Sequence, residues 1–148
     1  MTDAVPPNFS IVTLGVTDLE RSVRFYTDLG WEQRGNITDG IVWFKTSGTW
    51  LGLFGYDALA DDAHLEAPPQ DELPRYRGIT LAVNLPDEAA VDLAFVRVRE
   101  VGGKIVKPAT RAEWGGYSGY FSDPDGILWE IAYAPGFAVD EHGRIEVP

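Results

Sequence analysis

Two short runs, Val12-Thr13-Leu14-Gly15-Val16 and Ile79-Thr80-Leu81-Ala82-Val83, nearly repeat one another, and similar patterns follow each. Both are β-branched runs with strand-like alternation. After the first, Thr17 with Glu20 three residues on forms a capping-box pattern, predicting that Thr17 caps a helix. Leu19, Val23, Tyr26 and Leu29 then share one helical face, and Gly30 closes the element. After the second run, Pro86-Asp87-Glu88 reads as a first turn. Val91, Ala94, Phe95, Val98 and Val101 form the buried stripe, and Gly102-Gly103 stops it. Three short strand patterns follow each helix: about 31–36, 40–46 and 49–54, then about 104–110, 117–122 and 127–133. Asp123-Pro124-Asp125-Gly126 is a strong turn signal between the last two. An internal repeat of this kind restricts the chain to an α+β fold of two tandem βαβββ units.

The units span about 8–56 and 77–135 and together make a single domain over 8–135. Residues 57–76 form a connection rich in proline and acid, with a short helix expected near 59–63, and 136–148 form a polar tail. A chain of 148 residues, 45% hydrophobic, can bury a core without disulfide or metal staples. It has no cysteine, which excludes disulfides, thiolate nucleophiles and thiolate metal sites. The formal charge of −11 repels phosphate backbones and anionic lipid, so neither nucleic acid nor a membrane surface is an expected partner. The opening MTDAVPPNF has no basic region or apolar run, and no apolar stretch is long enough to span a bilayer. A cytoplasmic protein is the expectation.

Strand alternation predicts two unlike faces. Val12, Leu14 and Val16, Ile79, Leu81 and Val83, Leu51 and Leu53, and Trp129, Ile131 and Tyr133 should pack against the helices. The opposite face mixes Thr13, Gly15, Gly52, Thr80, Ala82 and Ala132 with Trp50, Phe54, Leu128 and Glu130. Small residues in an ordinary core would leave voids, each costing on the order of 1 kcal/mol or more, so this second face is expected to line a concavity. Glu130 falls on it. A carboxylate within an apolar strand is costly unless it is paired, hydrogen-bonded or metal-bound. Gly52 is its counterpart in the first unit, and Trp43 that of Tyr120, which predicts two aromatic side chains in one concavity.

The opening VTLGVTDLERSVRFYTDLGW and the closing GYFSDPDGILWEIAY, set in paired βαβββ units, resemble the vicinal oxygen chelate superfamily. That group includes glyoxalase I, extradiol dioxygenases, fosfomycin-resistance transferases and bleomycin-resistance proteins. The likeness runs from about Ser10 to Pro135. It implies a divalent metal held at the start of each unit's first strand and by a glutamate in the last strand. Glu130 matches that glutamate, and Tyr120 matches a substrate-facing tyrosine of the fosfomycin-resistance branch. The remaining ligand positions hold Ile11 and Gly78, which have no donor side chain, and a one-residue shift offers only Ser10 or Arg77. The only histidines, His64 and His142, lie in the connection and the tail. No metal or other cofactor is therefore expected. The resemblance also implies a homodimer, with the cavity built from units of one chain or of both.

Glu130 is open to three readings. It is a remnant of a lost metal site, satisfied by water or by an arginine such as Arg77 or Arg111; a carboxylate recognising a cationic or hydroxyl-bearing ligand; or a general base. Thr13, Trp43, Trp50, Phe54, Thr80, Trp114, Tyr120 and Glu130 are the expected ligand-binding residues, with Glu130 and Tyr120 also the candidate catalytic pair. Aromatic walls with a few polar groups suit a planar or apolar small molecule. Two functions follow: a metal-independent binder of a small aromatic or hydrophobic compound, or a glyoxalase-like lyase or isomerase. In the latter, Glu130 takes a proton next to a carbonyl and Tyr120 or Thr80 orients the oxygen. A metal-dependent lyase or dioxygenase is the less favoured third.

Overall fold

The computed structural model describes residues 4–148; the first three residues of the stretch read for a secretory signal lie outside it. Unit one comprises β1 (Ile11–Val16), α1 (Leu19–Asp28), β2 (Glu32–Arg34), β3 (Ile41–Lys45) and β4 (Trp50–Gly55). After the connecting helix α2 (Tyr56–Asp62), unit two comprises β5 (Leu81–Asn84), α3 (Glu88–Glu100), β6 (Lys104–Arg111), β7 (Tyr117–Ser122) and β8 (Leu128–Tyr133). The sheets have matching orders, β1-β4-β3-β2 and β5-β8-β7-β6, with the first pair of each parallel and the others antiparallel. Two tandem βαβββ units are thus present in one domain. Among the described residues no helix is long and apolar enough to cross a membrane.

Three local expectations are corrected. The second unit's first strand begins at Leu81, and Ile79 is 56% exposed instead of packing on a helix. Gly78, at φ 74, bends the chain just ahead of the strand. The tail carries a two-stranded hairpin of β9 (Ala138–Val139) and β10 (Ile145–Glu146). Finally, Asp18, not Thr17, caps α1, its carboxylate accepting from the Arg21 N–H at 3.0 Å.

Thr17 is diverted to a task that joins the units. Its N–H and hydroxyl both donate to Asp125 Oδ1, at 3.0 and 2.9 Å, and the Ser22 hydroxyl donates to Asp125 Oδ2 at 2.9 Å. Arg21 adds a longer contact of 3.3 Å to the same carboxylate, whose side chain is fully buried. Two residues earlier, Asp123 Oδ1 accepts the N–H groups of Asp125 and Ile127, closing the turn, while Oδ2 accepts the Tyr26 hydroxyl at 2.7 Å. Trp129 Nε1 in turn donates to Tyr26 Oη at 3.0 Å. Sequence alone presents this Asp-Pro-Asp-Gly stretch as a turn between two strands. It is a buried polar staple between α1 and the β7–β8 hairpin.

Around the staple the bulky faces of both sheets and both long helices share one core. Val23, Phe25 and Tyr26 from α1 meet Phe44 and Leu53 of sheet one, and Phe121, Trp129 and Ile131 of sheet two. Tyr26 and Trp129 rings lie 6.0 Å apart, and Trp31 meets Trp129 edge-on at 5.4 Å. The small-residue faces point the other way.

Burial holds the Asp123 carboxyl above its ordinary value of 3.8, more strongly than its hydrogen bonds lower it. Folded protein then keeps a proton that the unfolded chain releases. The stabilisation from this group is full below pH 3.8 and is lost as pH rises through the raised folded value. We expect the stability of the native protein minus that of Asp123→Asn to fall with rising pH from just below 4 and to level off beyond it. Urea unfolding across pH 3–7 measures it; a difference that grows with pH would contradict the assignment.

Candidate functional site

On the outer face of sheet two, strand register sets Lys107, Tyr120, Glu130 and Ala82 side by side across β6, β7, β8 and β5. Tyr120 Oη donates to Glu130 Oε2 at 2.8 Å. That bond, with a lesser contribution from burial, raises the Tyr120 phenol above its usual value, so it stays protonated at neutral pH. Glu130 is half-buried, and among the described residues its Oε1 receives no hydrogen bond. It is free to accept from a ligand. Neither arginine considered for it is its partner. Arg77 donates to the Asp125 carbonyl at 3.1 Å, and Arg111 grips Glu88 at 2.9 and 2.7 Å.

The corresponding row in unit one is Trp43, Gly52 and Thr13. The pairing supports Gly52 as the counterpart of Glu130 and Trp43 as that of Tyr120. The small residues here do not hollow out a cavity, however. A Cβ on Gly35 would lie 3.2 Å from the Trp43 ring, and one on Gly52 would lie 3.5 Å from it and 3.0 Å from Thr13 Oγ1. The glycines let the indole lie flat on the sheet. Gly15 is covered by Tyr56 and Leu59 of α2. Phe54 sits beside Gly15 and Ile41 in the same sheet. Trp43 and Tyr120 therefore occupy equivalent places on separate sheets, and within one chain they share no concavity, because the sheets meet through their opposite, bulky faces.

A different hollow gathers two of the expected residues. Strands β1 and β5 are both sheet edges. Between them lies a cleft of about 720 Å³ whose walls include Trp31, Trp50 and Trp129, with Thr46, Thr80, Asn84 and Arg144 among its polar groups. The tail hairpin borders it, held where the Ser47 hydroxyl donates to the His142 carbonyl at 2.7 Å. Glu130 and Tyr120 are not on its wall, although Ala82, level with Glu130, is. Sequence reasoning found Trp50 and Thr80 here and missed Trp31, Trp129 and the tail. Trp114 lies apart, 66% exposed at a hairpin tip and folded over Gly116.

The glutamate in the last strand raises the question of a metal, and the side chains at the other expected ligand positions bear on it. Ile11 sits in β1 with its methyl toward Gly52, and Gly78 has nothing but backbone to offer. Among the described residues no three of His, Cys, Asp or Glu converge. Within one chain, a carboxylate with one phenol supplies fewer than the three or four donors that a divalent ion needs.

The family model for the Glyoxalase/Bleomycin resistance protein/Dioxygenase superfamily matches residues 8–131. The chain belongs to that superfamily. Within it, the chain is 29% identical over 121 residues to the metallothiol transferase FosB of Shouchella clausii, covering 81% of this chain and 75% of that protein. A glyoxalase-related enzyme from Fulvimarina pelagi superposes with a TM-score of 0.83 at 30% identity, over 95% of this chain and 97% of the other. A glyoxalase/bleomycin resistance protein/dioxygenase from Nocardioides gives a TM-score of 0.73 at 28% identity, over 88% and 85%. Superfamily membership accounts for the paired βαβββ units.

Proposed function

We propose that this superfamily member binds a small, mainly aromatic or hydrophobic molecule in the cleft between its units, without a resident metal ion. The make-up of the cleft carries the reading: about 720 Å³, three indole-bearing walls and polar side chains that could orient a ligand. Sites for drug-sized molecules are typically of this volume and composition. A cytoplasmic homodimer belongs to the same reading. Ligands found by thermal-shift screening of one- and two-ring aromatics should bind Trp50→Ala at least tenfold more weakly, while its unliganded stability changes little. Undiminished binding would overturn the cleft as the site. Elemental analysis tests the metal-free part: stoichiometric Zn, Ni, Mn or Fe in the purified protein would sink it.

The Tyr120–Glu130 pair favours a second reading, a glyoxalase-like lyase or isomerase acting on the outer face of sheet two. Glu130 Oε1 would take a proton next to a carbonyl while the Tyr120 hydroxyl orients the substrate oxygen. The likeness to a metallothiol transferase supports an enzymatic reading. Glu130→Gln should lower kcat by 10²- to 10⁴-fold if the carboxylate is the base, and leave binding in the cleft untouched. Unchanged turnover would make Glu130 structural.

A further inference from the structure

Next to the Tyr120–Glu130 row, the outer face of sheet two leads into a second hollow. Ser122 pairs with Lys104 on one side and with Leu128 on the other. Ser122 and Leu128 each lie two residues along from Tyr120 and Glu130, so the two rows are roughly 7 Å apart. With Arg75, Tyr76 and Arg77 from the approach to β5, they wall an open space of about 830 Å³.

Three cations, Arg75, Arg77 and Lys104, line this space, and none of them is in an ion pair among the described residues. Arg77 is held in place. Its Nε donates to the Pro74 carbonyl at 3.3 Å and its Nη2 to the Asp125 carbonyl at 3.1 Å, so neutral oxygens position the guanidinium. Nη1 is left without an acceptor among the described residues. The acid in the wall is Asp123, and both its oxygens are engaged by Tyr26 and backbone N–H groups.

Ser122 is an independent sign of a ligand. It is only 9% exposed, and its hydroxyl makes no hydrogen bond among the described residues. No polar side-chain atom among them is sealed from solvent without a partner, so this hydroxyl opens into the hollow that Ser122 lines. A guanidinium with a spare edge, two further cations and an unbonded hydroxyl form a set of donors that lacks an acceptor. The formal charge of −11 repels a long polyanion, but charges are screened beyond about 8 Å at physiological salt. A small anion in the hollow responds to the cations beside it. Leu73, Val106 and Leu128 give its uncharged part an apolar wall.

We propose that this hollow binds a small phosphate monoester, its head group held by Arg77, Arg75, Lys104 and the Ser122 hydroxyl. Three cations match a head carrying about two negative charges on three oxygens better than they match a single carboxylate. The site is separate from the cleft, and its occupancy depends on neither function proposed above.

Phenyl phosphate is the probe, titrated into the full chain by calorimetry. We expect saturable binding that weakens as salt is raised and is displaced by inorganic phosphate. Benzoate, with the same ring and one charge, should bind roughly tenfold more weakly. Arg77→Gln and Lys104→Gln should each weaken phenyl phosphate about tenfold. Lys45→Gln, which removes a charge from sheet one, and Trp50→Ala, in the cleft, should leave it within about twofold. No saturable binding, benzoate binding as tightly, or equal losses in Lys104→Gln and Lys45→Gln would each overturn the proposal. So would a loss confined to Trp50→Ala, which would put the anion in the cleft. If Arg77→Gln fails to fold, the exposed Lys104 decides.

Discussion

Asp125→Ala is expected to destabilise the protein by about 3 kcal/mol, the largest loss from any single polar side chain here. The carboxylate accepts three bonds from Thr17 and Ser22 in a fully buried setting. A hydrogen bond to a buried charged group contributes about 1.5–3 kcal/mol, and removing the acceptor strands donors that have lost their water. Bonds sharing one acceptor do not add, and the variant no longer buries a charge, so the sum is discounted. The contact with Arg21 contributes little, since that side chain is half exposed. Against a typical total of 5–15 kcal/mol, this is a large fraction of the stability. It corresponds to a fall in Tm of roughly 10 °C for a chain of this size. Urea unfolding checks the value, with Asp18→Ala as the comparison; losing that exposed cap should cost only about 1 kcal/mol. Equal effects of the two substitutions would contradict the staple.

Gly119→Ala should cost a similar amount, about 3 kcal/mol, for the opposite reason. Gly119 lies on the helix-packed side of β7, where β6 bulges around Pro108 and the pairing skips from Lys107–Tyr120 to Thr110–Ser118. A Cβ there would lie 2.7 Å from the Lys107 carbonyl oxygen, 2.8 Å from the Ala109 nitrogen and 2.8 Å from the Phe95 ring. Two of the three are backbone atoms and cannot swing aside, so the sheet or α3 must shift, at the upper end of overpacking penalties. Gly116→Ala is the informative control. Its nominal overlap with the Trp114 ring is worse, at 1.8 Å, but that indole is mostly exposed and free to move. Its cost should stay below about 1 kcal/mol. If unfolding experiments rank the two glycines the other way, the bulge does not constrain Gly119 as described.

The sequence carried the architecture because periodicity and repetition are local properties. Each βαβββ unit could be read from alternation in Val12–Val16, the apolar stripes of the two helices and the turn residues between strands. The pairing of Tyr120 with Glu130 was also within reach, since both fall on one face of adjacent strands. What failed depended on partners far along the chain. Thr17 has the pattern of a cap, and only a hairpin turn in the other unit explains why Asp18 takes that role. Asp123 and Asp125 have the composition of an exposed turn, and nothing nearby reveals that α1 buries them. The small residues of unit one suggested a cavity; Gly35 and Gly52 make room for Trp43, and Gly15 for Tyr56 and Leu59 of α2. The cleft arises where two units meet, which no single strand or helix encodes.

The staple also bears on how the chain is made. Asp125 meets Thr17 across 108 positions, and Asp123 meets Tyr26 across 97. Helix α1 therefore emerges from the ribosome long before its acceptors exist. The amino-terminal half must wait with the Ser22 and Tyr26 hydroxyls bonded to water until the final hairpin arrives, a closure that long-range topology makes slow. A chain that stalls before that hairpin presents an aromatic, half-paired helix face to the cell's folding and disposal machinery, and one that finishes hides it.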